Sequence, residues 1–227
     1  MSWILVAAIL AGPPQPAVVR LTAREAVSEI AAELQTGSLI VSEGDCLAIR
    51  IYSASAYTHV AAVVVHDDEV SVYDATGGAG VRKQSLREFL ESHHDHMLYL
   101  FHPCEPLPEK RRECFEQHLE GQLGRPYSIH HHLTGQRAAG VHCSEYVTDA
   151  LIAAGMLRAQ RPPRVSPATL VEGILRADLY WTGATIELVA ESPKRPESMG
   201  WCARLWFDTK QCTGACCGKL RGWFICK

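Results

Sequence analysis

The 227-residue sequence has almost no excess of charge of either sign, no basic stripe and no glycine-rich loop of the kind that cradles phosphate. The net charge is −3 at pH 7, from 22 Lys and Arg and 25 Asp and Glu. This balance gives no reason to expect nucleic acid or an anionic membrane as a partner. With 47% hydrophobic residues, the chain falls in the soluble globular class and is long enough for one sizeable core with a short appendage.

The N-terminal segment lacks an apolar run that could span a bilayer. The run from Trp3 to Ala11 is far shorter than the roughly 20 residues required. It has the length of a secretory h-region and small residues follow it, but no Lys or Arg precedes Arg20. We therefore keep two alternatives for residues 1–20. The first is a signal or leader segment that exports the protein to the periplasm or the extracellular space. The second is a frayed or docked N-terminal segment, with which a cytoplasmic location is compatible.

The nine cysteines show no standard zinc-binding spacing. Five of them fall in the last 26 residues, which indicates a disulfide-stapled tail or a metal site. Disulfides are favoured, and the odd total leaves at least one thiol unpaired within the chain. In the histidine clusters at 93–104 and 129–133, no carboxylate or thiol spacing completes a set of metal ligands, so we expect solvated histidines there. We expect neither a metal nor an organic cofactor.

The apolar periodicity predicts helices alternating with strands and no internal repeat. A hairpin is expected around the HDDE sequence, with its strands inside residues 59–78. Together, the predicted helices and strands indicate an α+β fold with one antiparallel sheet packed against helices. Helices are predicted over 22–37, 85–94, 107–124 and 143–154, with a further short one after the proline-rich loop near residue 163, and strands over 43–52 and 97–103.

Cys143 begins the last of the long predicted helices, where a capping residue is expected. Unpaired N–H groups and the helix dipole favour a thiolate at that position, and the thiolate is the reactive form. Residues 140–142 include no Ser, Thr, Asp or Asn cap, so a thiolate could take that role. We expect the side chain of His142 to point away from the sulfur, because adjacent residues do not share a helix face. A buried inert thiol is the alternative.

His59 begins the first strand of the predicted hairpin and is the candidate base. A cysteine at a helix N-terminus with a histidine on a strand is the arrangement of a cysteine hydrolase. If Val65 and Val70 flank the turn, the register is fixed. Thr76 then lies opposite His59, and Asp74 is the diagonal neighbour on the same face. A carboxylate there can hold the imidazole tautomer, as the third member of a triad does. An ordinary aspartate at a strand end is the alternative.

Six motifs, taken in order, resemble a known family. They are EGDCLAIRI, YTHVAAVV, VYDATGGAGV, LGRPYS, HCSEYVTDALIAAGM and VSPATLVEG. They resemble the permuted papain-like cysteine hydrolases, the YiiX-type relatives of the NlpC cell-wall peptidases, over about residues 43–175. In papain the nucleophile precedes the base, whereas here the histidine comes first, as in the permuted group. The resemblance implies a permuted papain-like fold with Cys143 as nucleophile, His59 as base, Asp74 as orienting acid, and Tyr57 and Tyr127 lining the substrate site.

The resemblance implies a thiol-dependent hydrolase that cleaves an amide or ester bond through an acyl-enzyme. Its substrate would be a cell-wall peptide or a lipid-like acyl compound. Two alternatives stay open. The first is an acyltransferase of the lecithin–retinol acyltransferase type, although the HCSEY sequence of this chain does not reproduce the nucleophile motif of that family. The second is a secreted, disulfide-stapled binding module. The predicted organisation is a leader over 1–20, a catalytic domain over 21–176 and a Cys-rich extension over 177–227.

Overall fold

The computed structural model describes residues 18–44, 50, 55–130, 134–137, 139–191 and 200–224, with only the backbone described at 211, 215 and 218–224. One seven-stranded sheet organises these residues, in the order β1-β7-β6-β2-β3-β4-β5. The β1–β7 pair is parallel and every other neighbouring pair is antiparallel. The strands are β1 Val18–Leu21, β2 Leu39–Glu43, β3 His59–His66, β4 Glu69–Thr76, β5 Gly80–Ser85, β6 Met97–Pro103 and β7 Tyr180–Leu188.

Helices cover both faces of the sheet, which confirms the predicted α+β class. The helices are α1 Ala23–Ile30, α2 Leu86–Ser92, α3 Glu109–Gly121, α4 Cys143–Ala153, α5 Pro167–Arg176 and α6 Trp201–Phe224, with a 3₁₀ turn at Pro162–Arg164. Two apolar cores result, one with α3, α4 and α5 and the other with α1 and α2. β3 lies between them, so alternate residues of its apolar run enter different cores and the run needs no polar face.

The β3–β4 hairpin has the predicted register. Val65 pairs with Val70 and Ala62 with Tyr73. Asp67 and Asp68 make the two-residue turn with φ of 46° and 67°, the left-handed values that Asp tolerates and that match the twist of the strands. The hairpin therefore brings the beginning of β3 beside the end of β4.

The predicted helices are present but shorter than expected. Thr22 and Glu25 form the predicted capping box of α1, and Ser85 and Glu88 form a second one at α2. The helix predicted over 22–37 ends at Ile30, because the chain turns there to enter β2. The strand predicted over 43–52 is wrong in its described part, since β2 ends at Glu43 and Arg50 is helical. The rest of that range lies outside the described residues.

The C-terminal region differs from the predicted extension in two ways. β7 lies beyond the predicted boundary at residue 176, yet it pairs with β6 on one side and β1 on the other. It therefore shares the sheet with the strands of the predicted catalytic domain. The described cysteines of α6 carry free thiols, so the predicted staples are not found among them. No helix within the described ranges combines the length and apolar character needed to cross a bilayer.

Candidate active site

Cys143 is the first residue of α4 and is only 3% exposed. The segment in front of it is fixed by backbone pairing, because the Val141 N–H donates to the Pro126 carbonyl at 2.9 Å and the Ser128 N–H donates to the Val141 carbonyl at 3.1 Å. The Arg125 guanidinium donates to the carbonyls of residues 139 and 140 at 2.8 and 3.0 Å. These bonds hold the entry to α4 in place and so hold the sulfur at the helix N-terminus.

His59 and Asp74 meet across the hairpin, as the register predicts. The His59 Nε2 atom lies 3.3 Å from Asp74 Oδ2. Both side chains are buried, and Asp74 has no exposed surface. Because Nε2 faces the carboxylate, Nδ1 is the ring nitrogen left for the sulfur. The His59 and Cys143 side chains also interact, so His59 connects Cys143 with Asp74.

Arg82 is a partner of Asp74 that the sequence patterns do not single out. The two residues are paired across β4 and β5. Arg82 Nε donates to Oδ1 at 2.8 Å, and Nη2 donates to Oδ2 at 3.2 Å. Burial by itself raises the pKa of Asp74, but hydrogen bonds from His59 and Arg82 outweigh it and lower the pKa to about 2. Asp74 is therefore ionised at neutral pH.

The charges of Cys143 and His59 stabilise each other. Burial alone would raise the pKa of the thiol, yet the His59 charge and interactions with the His142 and His59 side chains lower it to about 5. Burial alone would lower the pKa of His59, yet the Cys143 charge and the hydrogen bond of Asp74 raise it to about 10. The pair is therefore a thiolate and an imidazolium at neutral pH, which is the nucleophilic form of a thiol.

His142 caps α4, which corrects two predictions. Its Nδ1 accepts from the Glu145 N–H at 3.3 Å, and its Nε2 donates to the Pro163 carbonyl at 2.8 Å. The helix thus has a side-chain cap that a search for Ser, Thr, Asp or Asn misses. The ring also lies close enough to the Cys143 side chain to interact with it, so it does not point away from the sulfur. This interaction offsets the effect of burial and raises the pKa of His142.

His93 packs behind His59 and is 5% exposed, so the expectation of a solvated histidine is wrong here. Its ring stacks on His59 at 5.6 Å and on Phe89 at 4.1 Å, both between ring centroids. Nδ1 lies 2.8 Å from the Phe89 carbonyl and donates to it. Burial and the nearby His59 charge lower the pKa of His93 to about 3. A neutral aromatic wall therefore supports the imidazolium of His59.

The two tyrosines expected at the site have different surroundings. Burial and the Cys143 charge both raise the pKa of Tyr127, and its backbone pairs with Val141, two residues before Cys143. Tyr57 packs edge-on against Tyr99, with ring centroids 5.1 Å apart, and Tyr99 donates to Glu43 at 2.6 Å. This pairing holds Tyr127 beside the segment that leads into Cys143, and Tyr57 borders the start of β3.

Two comparisons with known proteins find similarities to this chain. A family model described as permuted papain-like amidase enzyme, YaeF/YiiX, C92 family, matches residues 33–169. The structure is similar to the crystal structure of metalloprotein yiiX from Escherichia coli O157:H7, DUF1105, with a TM-score of 0.52 and 19% identity, over 70% of this chain and 98% of that chain. No curated protein matches the sequence. At 19% identity the structural similarity establishes the fold alone.

Proposed function

Because this chain belongs to the permuted papain-like amidase family of YaeF and YiiX, we propose that it is a cysteine amidase acting on a peptide-like substrate. Membership and the structural neighbour confirm the predicted permuted papain-like fold. The observation that supports a cysteine mechanism is the buried line Cys143–His59–Asp74 at the N-terminus of α4. We assign these residues as nucleophile, acid–base group and orienting acid.

In the acylation step, the Cys143 thiolate attacks the carbonyl carbon of the substrate amide and forms a carbon–sulfur bond. The backbone N–H of Cys143, one of the donors at the helix N-terminus, stabilises the oxyanion that develops. The imidazolium of His59 donates its Nδ1 proton to the leaving nitrogen as the carbon–nitrogen bond breaks. The products are a thioester on Cys143 and a free amine, and His59 is left neutral.

In the deacylation step, neutral His59 accepts a proton from water, and the resulting hydroxide attacks the thioester carbon. The carbon–sulfur bond breaks, which releases a carboxylic acid and restores the thiolate beside the imidazolium. Asp74 stays ionised throughout and keeps Nε2 protonated. An ester would react by the same steps with an alcohol as leaving group, so acyl lipids remain within the proposed substrate range.

The structural neighbour, yiiX, is described as a metalloprotein. In the described part of this chain, no group of three or more His, Cys, Asp or Glu side chains is arranged to hold a metal ion. His93, which stacks on the proposed base, donates through Nδ1 to a backbone carbonyl and packs its ring against aromatic neighbours. This donor set does not fit a metal, and the acylation and deacylation steps use only the side chains and backbone of the protein.

The test is a screen of the purified protein against muropeptides, N-acyl amines and lipid esters. Cys143→Ala should abolish turnover, while Cys104→Ser, at an exposed thiol away from the site, should retain it. Release of a free acid identifies hydrolysis, and appearance of a transferred acyl product identifies an acyltransferase. Turnover that persists in Cys143→Ala, or substrate binding without turnover in the unmodified protein, would overturn the proposal.

A further inference from the structure

The charge of the chain is unevenly distributed. Residues 201–227 carry five basic side chains and a single acidic one, Asp208, which is a net charge of +4. Since the whole chain carries −3, the other 200 residues together carry −7. The near-neutral average, which gave no reason to expect an anionic partner, therefore conceals a basic C-terminal segment. Most of that segment is the helix α6.

The described side chains of α6 are exposed, except that of Phe207, which is half-buried. Trp201, Leu205 and Trp206 are 77%, 56% and 63% exposed, which places them among the most exposed large apolar residues of the described chain. At 3.6 residues per turn, Trp201 and Leu205 share one stripe with Cys212 and Cys216. Thiols behave as small apolar groups, so the stripe continues along the helix.

Trp206 extends this stripe into a wider apolar face, and charged residues lie beyond both of its edges. By helical periodicity Asp208 and then Arg204 lie beyond the edge at Trp201, and Lys210 lies beyond the edge at Trp206. The Lys210 ammonium sits 5.2 Å from the centroid of the Trp206 ring. An apolar stripe with Trp and flanked by Lys and Arg is the arrangement of a helix that lies in the headgroup region of a bilayer.

We propose that α6 is an interfacial anchor that lies along the surface of an anionic lipid bilayer. Such a surface matches both properties of the helix, because its acyl chains take up the tryptophans and leucine and its headgroups pair with the basic residues. Pairing of the α6 helices of two copies would bring two segments of net charge +4 together, which charge repulsion opposes. The anchor is separate from the proposed catalytic residues and does not depend on their role.

The experiment is flotation of the full-length protein with vesicles of two compositions, phosphatidylcholine alone and phosphatidylcholine with phosphatidylglycerol. Binding is expected to the anionic vesicles, to weaken at high salt, and to be weak for the neutral vesicles. A blue shift of tryptophan emission with the anionic vesicles should accompany binding. Equal binding to both compositions would overturn the electrostatic part of the proposal, and failure to bind either would overturn all of it.

Substitutions in α6 distinguish the contribution of this helix to vesicle binding from a general effect of the net charge of the protein. Arg204→Glu with Lys210→Glu should lower partitioning to anionic vesicles by at least about tenfold, since each basic residue near the surface contributes about 1 kcal/mol. Leu205→Ser with Trp206→Ser should lower it to a similar extent. The matched control, Lys110→Glu with Arg111→Glu on exposed positions of α3, changes the net charge equally and should bind normally. An equal loss of binding in the control would refute the anchor. So would a protein that binds no vesicles but forms a stable dimer, if the Ser substitutions in α6 dissociate that dimer.

Discussion

Replacing Asp74 by Asn tests the proposed orienting acid most sharply, because Arg82 restricts how the amide can turn. Oδ1 of Asp74 accepts only from Arg82 in the pairs described, at 2.8 Å, while Oδ2 is shared between Arg82 and His59 at 3.2 and 3.3 Å. An asparagine has one acceptor oxygen and one donor NH₂ group. The shorter Arg82 bond favours the oxygen at the Oδ1 position, which turns the NH₂ group toward His59.

With an NH₂ group facing Nε2, His59 is held in the tautomer that is unprotonated at Nε2. That state cannot remain an imidazolium without a clash of two donors, so the thiolate loses its partner. A hydrogen bond that involves a charged group contributes about 1.5–3 kcal/mol, which corresponds to a fall of about 10- to 150-fold in the reactive pair. We therefore expect Asp74→Asn to lower kcat by about two orders of magnitude while the protein stays folded.

The double variant Asp74→Asn with Arg82→Met supplies the decisive comparison. Without the guanidinium, the amide is free to present its oxygen to His59, so kcat should recover by about tenfold relative to Asp74→Asn alone, measured with thermal melts as a check on folding. Thr76→Val, a buried substitution on the same strand, is the control and should cost little. Near-normal turnover in Asp74→Asn would remove Asp74 from the site, and no recovery in the double variant would refute the role given to Arg82.

Four further outcomes follow from the geometry. Iodoacetamide should label Cys143 before the other thiols, with a rate that rises through about pH 5 as the thiolate forms, and labelling that rises only above pH 8 would contradict the ion pair. His93→Phe should retain most of the turnover and His93→Ala should lower it about two- to tenfold, because stacking rather than charge supports His59. In urea melts, His142→Ala should lose about 1 kcal/mol of unfolding free energy and His142→Asn should lose less, so equal losses would argue against capping. Ending the chain after residue 196 should leave turnover measurable, and a folded but inactive truncation would contradict this.

Local signals explain what the sequence predicts well. The hairpin register depends on a two-residue turn, and Asp67 and Asp68 tolerate the left-handed conformation that such a turn requires. Once that register is set, the proximity of His59 and Asp74 follows without any tertiary information. The capping boxes of α1 and α2 are also local, because each joins residues three apart.

Non-local pairing explains most of what the sequence does not reveal. β7 enters the sheet between β6 and β1, and nothing in its own residues identifies those two neighbours. His93 follows the end of α2 in sequence, and its stacking on His59 depends on how α2 packs against the hairpin. Arg82 is more accessible to prediction, since a hairpin register across a three-residue turn at 77–79 places it opposite Asp74.

The helix α6 is not predicted from the sequence for a different reason, which is the low helix propensity of several of its residues. Gly214, Gly218 and Gly222 fall within it, and each glycine lowers helix propensity by about 1 kcal/mol relative to alanine. The cysteine cluster also favours disulfides and so masks the helical spacing of Trp201, Leu205, Cys212 and Cys216. Because three glycines weaken the isolated helix, a surface that takes up its apolar stripe would add the stability that propensity lacks. Helix formation and lipid binding would then be coupled, and the helical signal in circular dichroism should rise when anionic vesicles are added to the full-length protein and not when neutral vesicles are added.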